Sequence, residues 1–215
     1  MAILEFITSN KGKLREVSQA LAPLGYGVVQ VDYGYPEIQA DTHEEVATFG
    51  MDYLEKKYPL KNPILIDDSG LFIEALKGFP GVYSKHALMT IGCEGILKLM
   101  ASEKDRRAYF ECMLAYKEPG KDILFAHGKS QGQIALAQMP GTYGFGFDPI
   151  FLPYLDDGRL SDRSFSQLEI WVKNRFSHRG RAVAELVELL RPGFKATVPF
   201  QDESGRPGRD LRHPE

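Results

Sequence analysis

Residues 107–135 read RAYFECMLAYKEPGKDILFAHGKSQGQIA. Two long runs in this stretch, Arg107–Tyr116 and Ile123–Ala135, have strand composition. The KEPGKD between them is a turn-forming linker of a length that suits an antiparallel hairpin. Upstream, strands and helices alternate, the pattern of parallel crossover units. A chain that does both builds a mixed sheet, so the sequence predicts an α/β fold: a long mixed β-sheet with flanking helices.

Working outward from the hairpin, Ala2–Ile7 reads as a strand. Leu14, Val17 and Leu21 then recur at helical spacing, and Tyr26–Val31 is a second strand. Thr42 begins a helix that runs to about Tyr58, ahead of a strand at Ile64–Ile66. FIEALKGFPGVYSKHALMT is broken by glycine and proline, and Ile91–Met100 has a helical pattern. A last helix over His178–Leu190 carries Val183, Leu186, Val187 and Leu190 on one face. From residue 191 to 215 proline, glycine and charge dominate, the composition of an extended tail behind a 1–190 domain.

The chain has 215 residues, 43% hydrophobic and 26% charged, a balance that supports a sizeable core. Its formal net charge of -3 gives no footprint for nucleic acid and favours a small charged ligand. No apolar run is long enough to span a bilayer, and MAILEFITSN lacks the basic start and greasy stretch of a secretory signal, so the expected location is cytoplasmic, with no membrane partner. Cys93 and Cys112 are too far apart in sequence to read as a zinc site or a disulfide framework.

Residues 63–70 read PILIDDSG, an apolar strand that meets two adjacent carboxylates. Neighbouring like charges at the edge of a core raise each other's pKa, and burial raises both, unless something positive lies against them. Asp-Ser-Gly is a turn signal. The other reading is Mg²⁺, which takes one or two carboxylates, keeps several waters and leaves the rest of its shell to substrate phosphates. Successive strand residues point to opposite faces, so one aspartate can face a metal while the other orients a water.

Four more stretches carry chemistry beside a plainer reading. In TSNKGK (8–13) a strand gives way to a helix, where free amides and the helix dipole suit a phosphate; the alternative is an N-cap at Ser9 or Asn10 with solvated lysines. THEEVA (42–47) fits a capping box between Thr42 and Glu45, or places Glu45 as an oxygen ligand to a hard cation. In GTYGFGFDPIF (141–151) the glycines free the backbone, and Phe145 and Phe147 offer flat surfaces for a base or serve as core plugs. KNRFSHRGR (173–181) crowds Lys173, Arg175, His178, Arg179 and Arg181 at the start of the last helix, against its dipole, as a bound anion or a solvated basic face would allow.

In order and spacing, TSNKGK, THEEVA, IDDSG with GFPGVYSK shortly after, FGFDPIF and K-x4-HR resemble the inosine/xanthosine triphosphate pyrophosphatases, the Ham1-like family, over about residues 2–190. The resemblance implies a dimeric α/β protein with two lobes around a central nucleotide cleft. Its implied activity is the Mg²⁺-dependent hydrolysis of non-standard purine nucleoside triphosphates (ITP, dITP, XTP) to the monophosphate and pyrophosphate. By motif, Thr8, Ser9, Asn10, Lys11, Gly12 and Lys13 would bind the triphosphate, Glu45 and Asp68 would hold the metal, and Asp68 would accept the proton. Ser69 would touch substrate, and Phe145, Gly146, Phe147, Asp148, Lys173, His178 and Arg179 would line the nucleotide pocket.

The chain departs from the family pattern at Gly50, where many members carry a lysine, and at Trp171 and Val172, where two acidic residues often stand. A carboxylate bound to Mg²⁺ is a poor base, so Asp67 is a second candidate for the acceptor role. Rival functions are a nucleotide phosphatase that releases orthophosphate, a nucleotide-binding module without turnover, and a weak RNA binder. The paired aspartates count against the last two.

Overall fold

The computed structural model describes residues 2–36, 38–40 and 42–191, so the expected tail lies, beyond Arg191, outside the described residues. The hairpin forms as predicted: β5 (Arg107–Lys117) and β6 (Leu124–Ile134) pair antiparallel from Arg107↔Gln133 to Tyr116↔Leu124. Labelled in chain order, the other strands are β1 (Ala2–Ile7), β2 (Tyr26–Val31), β3 (Ile64–Ile73), β4 (Pro80–Gly81) and β7 (Phe151–Pro153). Among the described residues they form one 7-stranded sheet in the order β2-β1-β3-β5-β6-β7, with β4 on β3. β1 runs parallel to β2 and β3, and every other pairing is antiparallel. The mixed α/β sheet of the sequence reading is the fold.

Helices α1 (Lys11–Leu21) and α6 (His178–Leu189) cover one face, where Val17, Leu21, Val183 and Leu186 bury against Leu4, Phe6, Leu65 and Leu114. Helix α2 (His43–Lys57) covers the other, with Ala47, Met51 and Leu54 against Ile64, Ile66, Met113 and Ala115. The far half of β3, β5 and β6 packs a third core, in which Leu71, Phe110 and Ile134 meet Phe151 and Phe165 under α3 (Ser84–Thr90) and α4 (Gly92–Leu99).

Three local expectations change. The IDDSG turn does not exist: β3 continues to Ile73, each residue in ladder with β5 from Ile64↔Lys117 to Ile73↔Ala108. A residue with a side chain would not fit at Gly70, where an added Cβ would lie 2.3 Å from the Gly81 carbonyl oxygen on β4. The basic run 173–181 does not open one helix: α5 (Ile170–Phe176) ends and Ser177 caps α6, its hydroxyl accepting from Gly180 N at 3.1 Å. Lys173 and Arg175 therefore sit in the last turn of α5, where cations suit the dipole. Helix α3 lies inside the segment read as irregular.

Candidate active site

The pleat of β3 sorts the two aspartates. Leu65 belongs to the α1/α6 face and Ile64 and Ile66 to the α2 face, so period-two alternation sends Asp67 toward α1 and α6 and Asp68 toward α2. Asp67 accordingly meets Arg179 Nε at 2.5 Å and Lys13 Nζ at 2.7 Å, and Asp68 meets His43 Nδ1 at 2.9 Å. The strand can carry adjacent charges because each has its own partner on its own face.

Behind Asp67 lies a buried ionic network. Arg179 Nη1 reaches Glu16 Oε2 at 2.5 Å, while Lys173 Nζ lies 2.8 Å from Glu16 Oε1 and 2.7 Å from Asp148 Oδ2. Three carboxylates thus alternate with Lys13, Lys173 and Arg179. Burial pushes the Asp67 carboxyl up, but the Arg179 and Lys13 charges prevail and hold it well below the usual range. Glu16 is likewise lowered, as Lys173 and Arg179 outweigh its burial. Asp148 is raised, because burial and the nearby Glu16 charge together exceed what Lys173 returns. Burial, with Arg179 and Lys173 close by, lowers His178 well below an ordinary imidazole, so it is neutral. Within the basic cluster of the last two helices, Lys173 and Arg179 are neutralised by the protein's own buried carboxylates.

A cleft of ≈ 710 Å³ opens above this network, of a size that accepts a nucleotide-sized ligand. The structure brings to its wall Thr8, Ser9 and Asn10 from the β1–α1 junction, Lys13 from the first turn of α1, Asp68 and Ser69 from β3, Phe145 to Asp148, and His178 and Arg179 from α6. Lys11 is exposed at the head of α1. Gly12 does not line the cleft; an added Cβ there would lie 2.5 Å from the Phe145 ring, so it lets that ring seat on the helix start. Asn10 is the N-cap, accepting from Gly12 N at 2.8 Å and Lys13 N at 3.2 Å, which takes two of the amides offered to a phosphate. Lys13 is anchored to Asp67 and its side chain is 18% exposed, so its ammonium touches both the network and the cleft.

Other placements differ from the sequence expectation. Phe147 is 3% exposed, borders the cleft and packs into the third core, so the core-plug reading describes it better than the flat surface for a base. Lys173 is buried behind the cleft wall, with the Phe145 ring 4.9 Å from its Nζ. Glu45 closes the capping box with Thr42 and lines a separate shallow depression with Glu44, Thr48, Phe49 and Asp52, while its neighbour Val46 reaches the main cleft. The sequence reading missed Glu16, whose position three residues after Lys13 on the apolar side of α1 was the available signal. It also missed Tyr35, Ile38 and Gln39 of the loop after β2, and His43. Gly50, the departure from the family lysine, has the Tyr35 ring 2.8 Å from where its Cβ would stand.

Comparison with known proteins gives these features a setting. The sequence model of the Ham1 family matches residues 4–189. The dITP/XTP pyrophosphatase of Pyrococcus horikoshii is 48% identical over 190 residues, covering 88% of this chain and 97% of the relative. That of Thermococcus kodakarensis is 48% identical over 192 residues, 89% of this chain and 99% of the relative. Among solved structures, a HAM1 protein from Coxiella burnetii superposes with TM-score 0.70 at 31% identity, covering 88% of this chain and 98% of that one. Fold, cleft and relatives together define the class, an α/β nucleoside triphosphate pyrophosphohydrolase. The chain belongs to the Ham1 family.

Proposed function

We propose that this enzyme hydrolyses ITP, dITP and XTP to the nucleoside monophosphate and pyrophosphate, with Mg²⁺, clearing deaminated purine nucleotides from the cytoplasmic precursor pool. The observation that carries the reading is the single cleft that joins Thr8–Asn10 and Lys13 to Asp68 and to His178–Arg179. Relatives that match nearly end to end carry the name dITP/XTP pyrophosphatase. Among the described residues no helix is long and apolar enough to cross a membrane.

Asp68 offers a hard carboxylate donor, 23% exposed, on the cleft wall, which is the donor chemistry Mg²⁺ takes. Among the described residues no group of three or more His, Cys, Asp or Glu side chains could hold a metal, so water and substrate oxygens would complete the shell. Asp68 would hold the ion from the cleft wall; Glu45, the second ligand the resemblance implies, lies in a separate depression and would reach it only by leaving its capping box. When bound, the ion would neutralise phosphate charge beside the carboxylates.

The chain's own residues do the rest. Lys13, tethered to Asp67, presents its ammonium to the triphosphate, with Thr8 and Ser9 at the same edge. Asp67 is paired with Lys13 and Arg179 and its side chain is buried, so the proton-acceptor role falls to Asp68, which would serve as base only through a lone pair that the ion leaves free. Phe145, Gly146, His178 and Arg179 border the nucleotide, and Lys173 acts from beneath through Asp148 and Phe145. Donors aimed at a 6-oxo group would face the amino group of adenine, and each donor left unpaired costs about 1–3 kcal/mol, enough to reject ATP roughly 10- to 100-fold. Pairing as a homodimer is part of this proposal, supported by the exposed Phe79, Met89, Ile91 and Leu99 around α3 and α4; sedimentation checks it.

Incubation with ITP, XTP, ATP and GTP, with and without Mg²⁺, tests the reading when nucleotide and phosphate products are scored together. IMP and XMP with pyrophosphate, and loss of turnover in EDTA, are expected. Orthophosphate as the product would make the enzyme a phosphatase instead, and equal turnover of ATP and ITP would remove the specificity.

A further inference from the structure

We infer that His43 is a positioning residue for Asp68, holding its carboxylate in the plane from which it addresses the attacking water. The inference rests on the reading of Asp68 as proton acceptor. His43 is the first residue of α2 and is 4% exposed. Its Nδ1 lies 2.9 Å from Asp68 Oδ2, and Ser69 N donates to Asp68 Oδ1 at 3.0 Å. An ionised carboxylate only accepts, so the ring proton belongs on Nδ1. One donor on each oxygen fixes rotation about the Asp68 side chain, and the remaining lone pairs are available to the cleft.

The imidazole is itself held. The Phe72 ring meets it edge-on, with centroids 5.8 Å apart at 82°, and Phe72 in turn stacks on Tyr109 at 4.9 Å. The capping box between Thr42 and Glu45 fixes the turn of helix that carries it. Packing alone does not account for a histidine here. Nε2 is buried and has no hydrogen-bond partner among the described residues, whereas an apolar side chain would fill the same space without an orphaned nitrogen. What the imidazole adds over leucine is the bond to Asp68. That bond also ties the first turn of α2 to β3.

Kinetics on ITP with His43→Leu, His43→Asn, His43→Gln and Asp68→Asn, alone and with His43→Leu combined with Asp68→Asn, decide the matter, with melting temperatures measured alongside. An outer partner of a functional carboxylate is worth about 10- to 100-fold. His43→Leu should therefore lose kcat by about that factor while KM changes less than about threefold. The asparagine amide stands where Nδ1 stands and should restore kcat to within about threefold, whereas the glutamine amide stands where Nε2 stands and should not. The double variant should be no slower than Asp68→Asn alone, because the two residues act as a unit. Full kcat in His43→Leu, or equal slowing in the asparagine and glutamine variants, overturns the inference; if the leucine variant does not fold, the asparagine–glutamine pair carries the test. Full kcat in Asp68→Asn overturns the reading of Asp68 instead.

Discussion

A guanidinium at position 179 does two jobs that an ammonium could not, since its planar fork spans Asp67 on one side and Glu16 on the other. Replacing it with methionine leaves two buried carboxylates short of a cation. We expect Arg179→Met to lose about 3–5 kcal/mol of unfolding free energy, the usual result of breaking a buried pair from one side, read by urea denaturation. Gly50 gives a subtler case. An added Cβ would lie 2.8 Å from the Tyr35 ring and 3.2 Å from Ile66 Cδ1, so Gly50→Ala pushes Tyr35 toward the cleft it lines. Overpacking of this kind costs about 1–3 kcal/mol, opposed by about 1 kcal/mol of helix preference for alanine. The clearer readout is KM for ITP, which should rise while kcat holds.

At the scale of elements, the site depends on how closely α6 lies on the sheet. At Gly128 in β6 an added Cβ would stand 1.9 Å from the His178 carbonyl oxygen and 2.4 Å from Ala182 N, both backbone atoms that no rotamer change can move. Gly128→Ala should lift the start of α6, with His178 and Arg179 on it, and so lower both melting temperature and turnover. A parallel change at Gly120, where φ is 73° but nothing stands within 4 Å, should lower stability through backbone strain and leave KM alone. The break between α5 and α6 works in the same way: Ser177 ends one helix and caps the next, so Lys173 and Arg179 reach the same Glu16 from two helices.

For the whole molecule, the buried charges set a pH dependence whose sign can be worked out. His178 is held neutral in the folded state, so below about pH 6.5 the unfolded chain binds a proton that the folded chain does not, and stability falls as pH falls. The slope approaches about 1.4 kcal/mol per pH unit. Asp67 and Glu16, both lowered on folding, add losses only below about pH 4. Asp148 opposes them: its folded form keeps its proton to higher pH, and the stability this brings is lost as pH rises through the folded value. Comparison of wild type with His178→Phe isolates the first effect, since phenylalanine retains the stack on Phe110, 4.6 Å away, and does not titrate. Urea midpoints between pH 7 and 5 should fall more steeply in the wild type. The sequence by itself determined the mixed sheet, because the hairpin, the strand–helix alternation and the helical spacing of Val17, Val183 and Leu186 are local patterns that chain geometry turns directly into elements. It also placed Asp67 and Asp68 on opposite faces, since the pleat has period two. Only the tertiary structure decided that IDDSG is mid-strand, that Lys173 and Arg179 are paired inside, and that His43 meets Asp68. Each of these depends on a charge or a ladder partner tens of residues away, and a buried ion is stable only where that distant partner arrives.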